Sequence, residues 1–314
     1  METNRALLDL DRLPTLFPHA VASASDLVAL GLSGHNIQTR CRPRGPWQRL
    51  PSGVVLLSDA PPGRAQRLQA ALLIAGQLAV VTGREAMWLH GLRVPPLGAI
   101  HLLVPHDSPQ RTDGTSWVER TKRAPAPRWR NGFPTVPLAR ATVDACRKTP
   151  SKGEIRVLVS EATRRGGVTL DALHGELTRA SSRGTTVLRR VLAEIDRDVR
   201  TAGTRLATDL VARAGLPPPQ WGMRLSTSHD VHLGIVDAWW DDIGLAWDAD
   251  IHRPWAPRTA AATSTRTARL TASGVVAVHT APVRIRGDTA AVVDELRCAY
   301  RLAAGRPRPE VMAS

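Results

Sequence analysis

Three scarcities narrow what this 314-residue chain can be. Cysteine stands only at positions 41, 146 and 298, far apart and without paired spacing. That excludes a disulfide framework and a zinc site of the CxxC kind, and it suits a reducing cytoplasm. Long apolar runs are also missing. The longest, Ala70 to Val81, is interrupted by Gly76 and Gln77 and falls short of the roughly 20 residues that cross a bilayer, so a soluble protein without a membrane partner is expected. The opening METNRALLDLDRLP carries Glu2, Asp9 and Asp11, which suits neither a secretory signal nor a basic transit peptide. Lysine is the third scarcity: only Lys122, Lys148 and Lys152 occur, the remaining 39 of the 42 basic residues being arginine.

Exchanging lysine for arginine creates no net charge, yet the chain carries 42 basic against 28 acidic residues, a formal +14. Such an excess attracts a polyanion, with nucleic acid the leading partner and a generally basic surface the plainer alternative. Length predicts two or three domains. Punctuation separates residues 1–60, ending in the turn-rich SDAPPGR, from a block 61–195. A third block, 196–305, starts at the charged DRDVRTAG, and residues 306–314 read as a flexible tail.

In the first block, Leu7 to Phe17 and Ser25 to Leu30 read as short helices, and Ser33 caps a third, GHNIQTRCR, closed by Pro43 and Gly45. PWQRLPSGVVLLS then reads as a hairpin around Pro51, Ser52 and Gly53. Three helices and a hairpin are the order of a winged helix-turn-helix. Ser33, His35, Asn36, Gln38 and Thr39 would present donors and acceptors to base edges, with Ile37 inward. Arg40, Arg42, Arg44 and Arg49, in a stretch with no acid, suit phosphates of double-stranded DNA. The same pattern also serves helical modules that touch protein.

The middle block alternates helical and β-type runs: RAQRLQAALLIAG, LAVVT, REAMWLHGL, IHLLVP, then LARATVDACRK, EIRVLVSEATRRG, LDALHGEL and VLRRVLAEI. Residues 111 to 130 hold six positive residues against two acids, with Trp117 and Trp129 interleaved. We read this segment as a solvated strand pair with its tryptophans anchored inside, the other reading being a nucleic-acid strip. His90 and His101 lack ligand-spaced partners and read as packed histidines.

The third block reads as helix 204–214, strands 221–225, 233–240 and 245–250, helix 258–272, strand 275–279 and helix 289–303. If Asp241 to Gly244 is a turn, Asp237 faces Asp248, and Asp250 shares the face of Asp248. Three carboxylates together need a cation, an arginine or protonation. Asp237 and Asp248 are therefore candidate ligands for Mg²⁺, the usual device for phosphodiester cleavage. The plainer alternative is that Asp237 or Asp250 pairs with Arg253, Arg266 or Arg269.

GLSGHNIQTRCRPRGPWQRLPSGVVLLSD resembles the winged helix of AbiEi-type (type IV) antitoxin-like proteins, and AVVTGREAMWLHGL, IHLLVP and FPTVPLARATVDACR resemble their middle domain. VDAWWDDIGLAWDAD with RTARLTASGVVAVHTAPVRIR is similar to the restriction-endonuclease-like domain, related to very-short-patch-repair nucleases, of actinobacterial members. The resemblance implies an α/β, multidomain (α+β) architecture with a C-terminal PD-(D/E)XK core. Its catalytic positions fall on Asp237, Asp248 and Asp250, with His252 following. Asp250 stands where the pattern has lysine, no lysine follows Lys152, and TAGTRL lacks the acid expected near residues 203 and 204. We therefore expect a DNA-binding regulator, a repressor of antitoxin type with a catalytically degenerate nuclease fold, no resident cofactor, and homodimerisation or a cognate toxin as further partners. The alternatives are a Mg²⁺-dependent endonuclease of phage defence or DNA repair, and an antitoxin that binds protein.

Overall fold

The structure, a computed structural model, describes residues 9–108, 114–250 and 260–314. The chain divides into two compact units, Met1–Val191 and Leu192–Ser314, both of mixed α and β structure, so the α+β class holds.

The first unit opens with α1 (Leu13–Leu16), β1 (Val21–Ser23), α2 (Ala24–Ala29), α3 (Gly34–Arg40), β2 (Gln48–Arg49) and β3 (Val54–Leu56). Ser23 and Ser33 cap α2 and α3, each accepting from the backbone N–H three residues on. The strands form an antiparallel sheet in the order β1-β3-β2. Leu27, Ile37, Trp47 and Val55 fill the core between helices and sheet, each worth roughly 2 kcal/mol of burial. Residues 1–60 were expected to stand apart from the middle block, yet they share its unit. The physical reason is the outer face of the small sheet: Val21, Val54 and Leu56 are apolar there and pack on Ala70 and Ile74 of α4 (Arg64–Ala75).

Past α4 come β4 (Val80–Val81), α5 (Gly83–Leu89), β5 (Ile100–Pro105), β6 (Ser116–Thr121), β7 (Arg128–Arg130) and β8 (Phe133–Thr135). These strands form a mixed sheet in the order β6-β5-β4-β8-β7. Helices α6 (Leu138–Arg147), α7 (Lys152–Arg164) and α8 (Leu170–Arg179) follow. The expected anchoring of the tryptophans does not hold: Trp129 is 66% and Trp117 41% exposed. On the three-residue β7 every side chain is exposed, so no inner face receives the ring. His90 and His101 are packed as expected, bonded to the Val136 carbonyl at 2.8 Å and to Glu119 at 3.3 Å.

Helix α9 spans Thr186–Arg213, so DRDVRTAG, taken to mark the start of the third block, is helical. It contains no proline, and Gly203 alone costs too little to end it. The second unit continues with β9 (Gln220–Trp221), β10 (Arg224–Thr227), β11 (His232–Ile235), β12 (Ala238–Trp240), β13 (Leu245–Asp248), α10 (Ala260–Ala272), β14 (Val276–His279), α11 (Pro282–Gly287), α12 (Thr289–Ala304) and β15 (Val311–Ala313). The sheet β14-β13-β12-β9 is antiparallel except for the parallel β13/β14 pair. Side-chain alternation sends Ala238, Trp240, Leu245 and Trp247 toward α9 and α12, and Trp239 and Ala246 toward α10 and the second sheet, β11-β10-β15.

The single strand expected over 233–240 is two strands, divided at Val236 and Asp237 between the two sheets. Nor are residues 306–314 a flexible tail. β15 pairs with β10, Val311 is buried, and Arg308 donates to the Asp241 carbonyl at 2.8 Å and its carboxylate at 2.9 Å. Pro309 lies against Gly244, whose positive φ of 64° and missing Cβ let the hairpin turn pass beneath it.

Candidate functional site

On α3 the predicted division of faces is met. Ile37 is buried, while Ser33, His35, Asn36, Gln38 and Thr39 are exposed. Seven helical residues give two turns, so one inward residue suffices to hold the helix on Leu27 and Trp47. Ser33 has a structural part as well, because its hydroxyl accepts from Asn36 N at 3.1 Å.

Arg42, Arg44 and Arg49 are exposed. Arg40 is half-buried, its guanidinium 5.0 Å from the centroid of the Trp47 ring, a cation–π contact that holds it at the root of the hairpin. Gly45 makes this arrangement possible, since a Cβ there would overlap the backbone carbonyls of Arg40 and Arg42. The hairpin tip is a left-handed turn, with φ of 55° at Ser52 and 76° at Gly53.

The acidic hairpin follows the expected register in part. Ala238 pairs with Trp247 and Trp240 with Leu245, so one step beyond the ladder Asp237 comes opposite Asp248. Alternation puts both carboxylates on the α10 face of the sheet. There Arg266, one helical turn before the buried Leu270, forms an ion pair with Asp248; burial lowers its pKa, and the charge of Asp237 opposes that shift. Asp237 Oδ2 also accepts from Ala249 N at 2.8 Å. An arginine was expected on Asp237 or Asp250; Arg266 instead pairs with Asp248, and Asp237 acts on it through its charge.

Asp250 reaches the group by another route than alternation. β13 ends at Asp248, and Asp250 takes a left-handed φ of 52°. Its carboxylate lies 3.3 Å from His279 Nε2. The parallel β13/β14 register sets His279 beside Asp248, and ligand atoms of Asp248, Asp250 and His279 fall within 4.8 Å of one another. His279 carried no local signal in the sequence, because only a register between strands 31 residues apart brings it here. His252 and Arg253 lie outside the described residues.

This donor set does not fit Mg²⁺ as arranged. Mg²⁺ takes a near-octahedral shell of oxygens, whereas one member here is an imidazole and Asp248 is already held by a guanidinium.

Sequence reasoning missed a polar network inside the first unit. Asp144, fully buried on α6, accepts from Thr82 Oγ1 at 2.8 Å, Arg140 Nε at 2.7 Å and Arg147 Nη1 at 3.2 Å. Arg147 also donates to Glu119 at 3.0 Å. The hydrogen bond from His101, then the charge of Arg147, hold the Glu119 carboxyl down at about 2 against the opposing effect of burial. The i, i+3 and i+4 spacing of Arg140, Asp144 and Arg147 was the one visible clue.

No family model and no curated protein matches the chain. Among solved structures, the crystal structure of the RV2827C protein from Mycobacterium tuberculosis is similar, with 20% identity and a TM-score of 0.39 over 59% of this chain and 74% of that one. Among the described residues no helix is long and apolar enough to cross a membrane.

Proposed function

We propose that the chain is a DNA-binding transcriptional regulator, a repressor of the AbiEi-like antitoxin type, whose first 60 residues act as a winged helix-turn-helix. One observation carries the reading: α3 turns an unbroken polar row to solvent over a single buried Ile37 and leads into a stretch whose only charges are arginines. Asn36, Gln38 and Thr39 read base edges. Arg42, Arg44 and Arg49, with Arg40 beside Trp47, engage phosphates. The test is retardation of the protein's own promoter fragment. Arg42→Ala with Arg44→Ala, both exposed, abolishes retardation while circular dichroism stays unchanged; retained retardation would sink the proposal. Gln38→Ala relaxes base choice by about 1–3 kcal/mol at one position.

In this reading the nuclease-like unit, a degenerate PD-(D/E)XK fold, serves binding or assembly, since Arg266 supplies the charge that a metal would otherwise bring to Asp248. The cluster of Asp248, Asp250 and His279 is the observation behind a second reading, a metal-dependent endonuclease. It predicts plasmid nicking that needs a divalent cation and is lost in Asp248→Ala. No nicking with Mg²⁺ or Mn²⁺ leaves the regulator as the account of this unit. A protein-binding antitoxin would instead act without DNA, and promoter retardation distinguishes it.

A further inference from the structure

We propose that the groove along the outer edge of β6, in the first unit, binds a compact polyvalent phosphate group, free or carried by a small organic molecule, at a place distinct from α3.

β6 is the outermost strand of its sheet, so a groove along its edge takes in both of its faces: Trp117 and Glu119 on one, Arg120 on the other. The rest of the lining comes from Arg147 and Lys148 at the end of α6 and from the turn between α8 and α9 that carries Arg183. Gly184 lets that turn come close. Its φ is 75°, and a Cβ there would stand 2.8 Å from the Arg147 carbonyl oxygen. The groove holds about 680 Å³, within the range of small-molecule sites.

Arg147 is set in place before any ligand arrives. Only 8% of its side chain is exposed; its Nε donates to the Arg183 carbonyl at 3.2 Å, and its Nη1 to Glu119 at 3.0 Å and Asp144 at 3.2 Å. Nη2 has no acceptor among the described residues. A guanidinium already fixed through two nitrogens loses little freedom on binding through the third. Lys148 is held beside it, 3.9 Å from the other oxygen of Glu119 and 5.4 Å from the centroid of the Trp117 ring.

Charge selects the occupant. The lining holds four cations against Glu119 alone, which leaves three positive charges in surplus. Arg120 and Arg183 are exposed and have no ion pair among the described residues. A single carboxylate answers one of these charges, whereas a polyvalent phosphate group answers two or more and offers oxygens to several donors at once. Compactness matters as well. Arg147 and Lys148 meet the two oxygens of one carboxylate, so their charge is concentrated over the width of a single group, and an acidic peptide spreads its carboxylates farther apart. Duplex DNA fits less well, because each phosphodiester carries one charge and a rigid rod does not enter the recess where Arg147 lies.

The experiment is isothermal titration calorimetry of the full chain with inorganic pyrophosphate and, separately, with adenosine diphosphate. Saturable binding is expected. Lys148→Gln and Arg183→Gln, both exposed, should each weaken it by about tenfold to a hundredfold, the loss of one charge-assisted hydrogen bond, with circular dichroism unchanged. Equal affinity for the two ligands identifies the free anion as the occupant, and tighter binding of adenosine diphosphate an organic carrier. Arg42→Ala with Arg44→Ala should leave pyrophosphate binding intact, so this proposal and the reading of α3 fail separately. Absence of saturable heat with both ligands would overturn the proposal, as would unchanged affinity in Lys148→Gln and Arg183→Gln. Weaker promoter retardation in those variants with pyrophosphate binding intact would overturn it in favour of DNA. Binding of a polyglutamate peptide that the same variants lose, with no binding of pyrophosphate, would assign the groove to an acidic protein partner instead.

Discussion

Asp144 is fully buried, and Thr82, Arg140 and Arg147 donate to its side chain from three positions. Removing one partner of a buried charge group typically costs about 3–5 kcal/mol, since the arginines are left without their counter-charge. Glu119 extends the same network and makes it sensitive to pH. Its folded pKa, about 2, lies below the ordinary 4.5, so the unfolded chain binds the proton more readily. The stabilisation is complete above about pH 4.5 and is lost as pH falls toward 2. Glu119→Gln should therefore lower stability in urea at neutral pH by about 1–3 kcal/mol. The gap from the unsubstituted protein should narrow at about pH 3. An equal gap at both pH values would show that the side chain contributes through packing and not through charge.

At the scale of elements, local signals located most helices, and pairing between distant segments decided the remainder. Ser33, Ile37 and Gly45 foretell where α3 begins, which side it buries and where the chain leaves it, because capping, periodicity and chain reversal act within a few residues. β15 had no such signal. RPRPEVMAS reads as a tail, yet Val311 enters the core of Leu225, Trp239 and Leu270. Deleting residues 311–314 should remove that strand, uncover Leu225 and lower the stability of the second unit by about 2 kcal/mol or more, the value of one buried valine side chain. Thermal unfolding of the truncated chain checks this, and an unchanged midpoint would contradict the docked arrangement.

At the scale of the whole molecule, the +14 charge is the property that acts at long range. If four arginines of the α3 region each displace a counterion from DNA, the logarithm of affinity should fall with the logarithm of salt at a slope of roughly −3.6. Replacing two of them should bring the slope to roughly −1.8. A salt-independent affinity would mean that the contact is made to protein or to bases alone. The same charge makes the carboxylates beside Arg266 conspicuous, for they form an island of acid held together by the protein's prevailing cation.

The sequence by itself determined the mixed α and β class, the faces of α3, and the register that brings Asp237 opposite Asp248. All of these follow from periodicity, caps and turns, which depend on neighbours in the chain. Only the tertiary structure decided that Arg266 neutralises Asp248, that His279 joins Asp250, that residues 1–60 share a core with α4, and that Trp129 stands in solvent. Each of these depends on which distant surface has apolar area or opposite charge left to offer, and no local pattern carries that information.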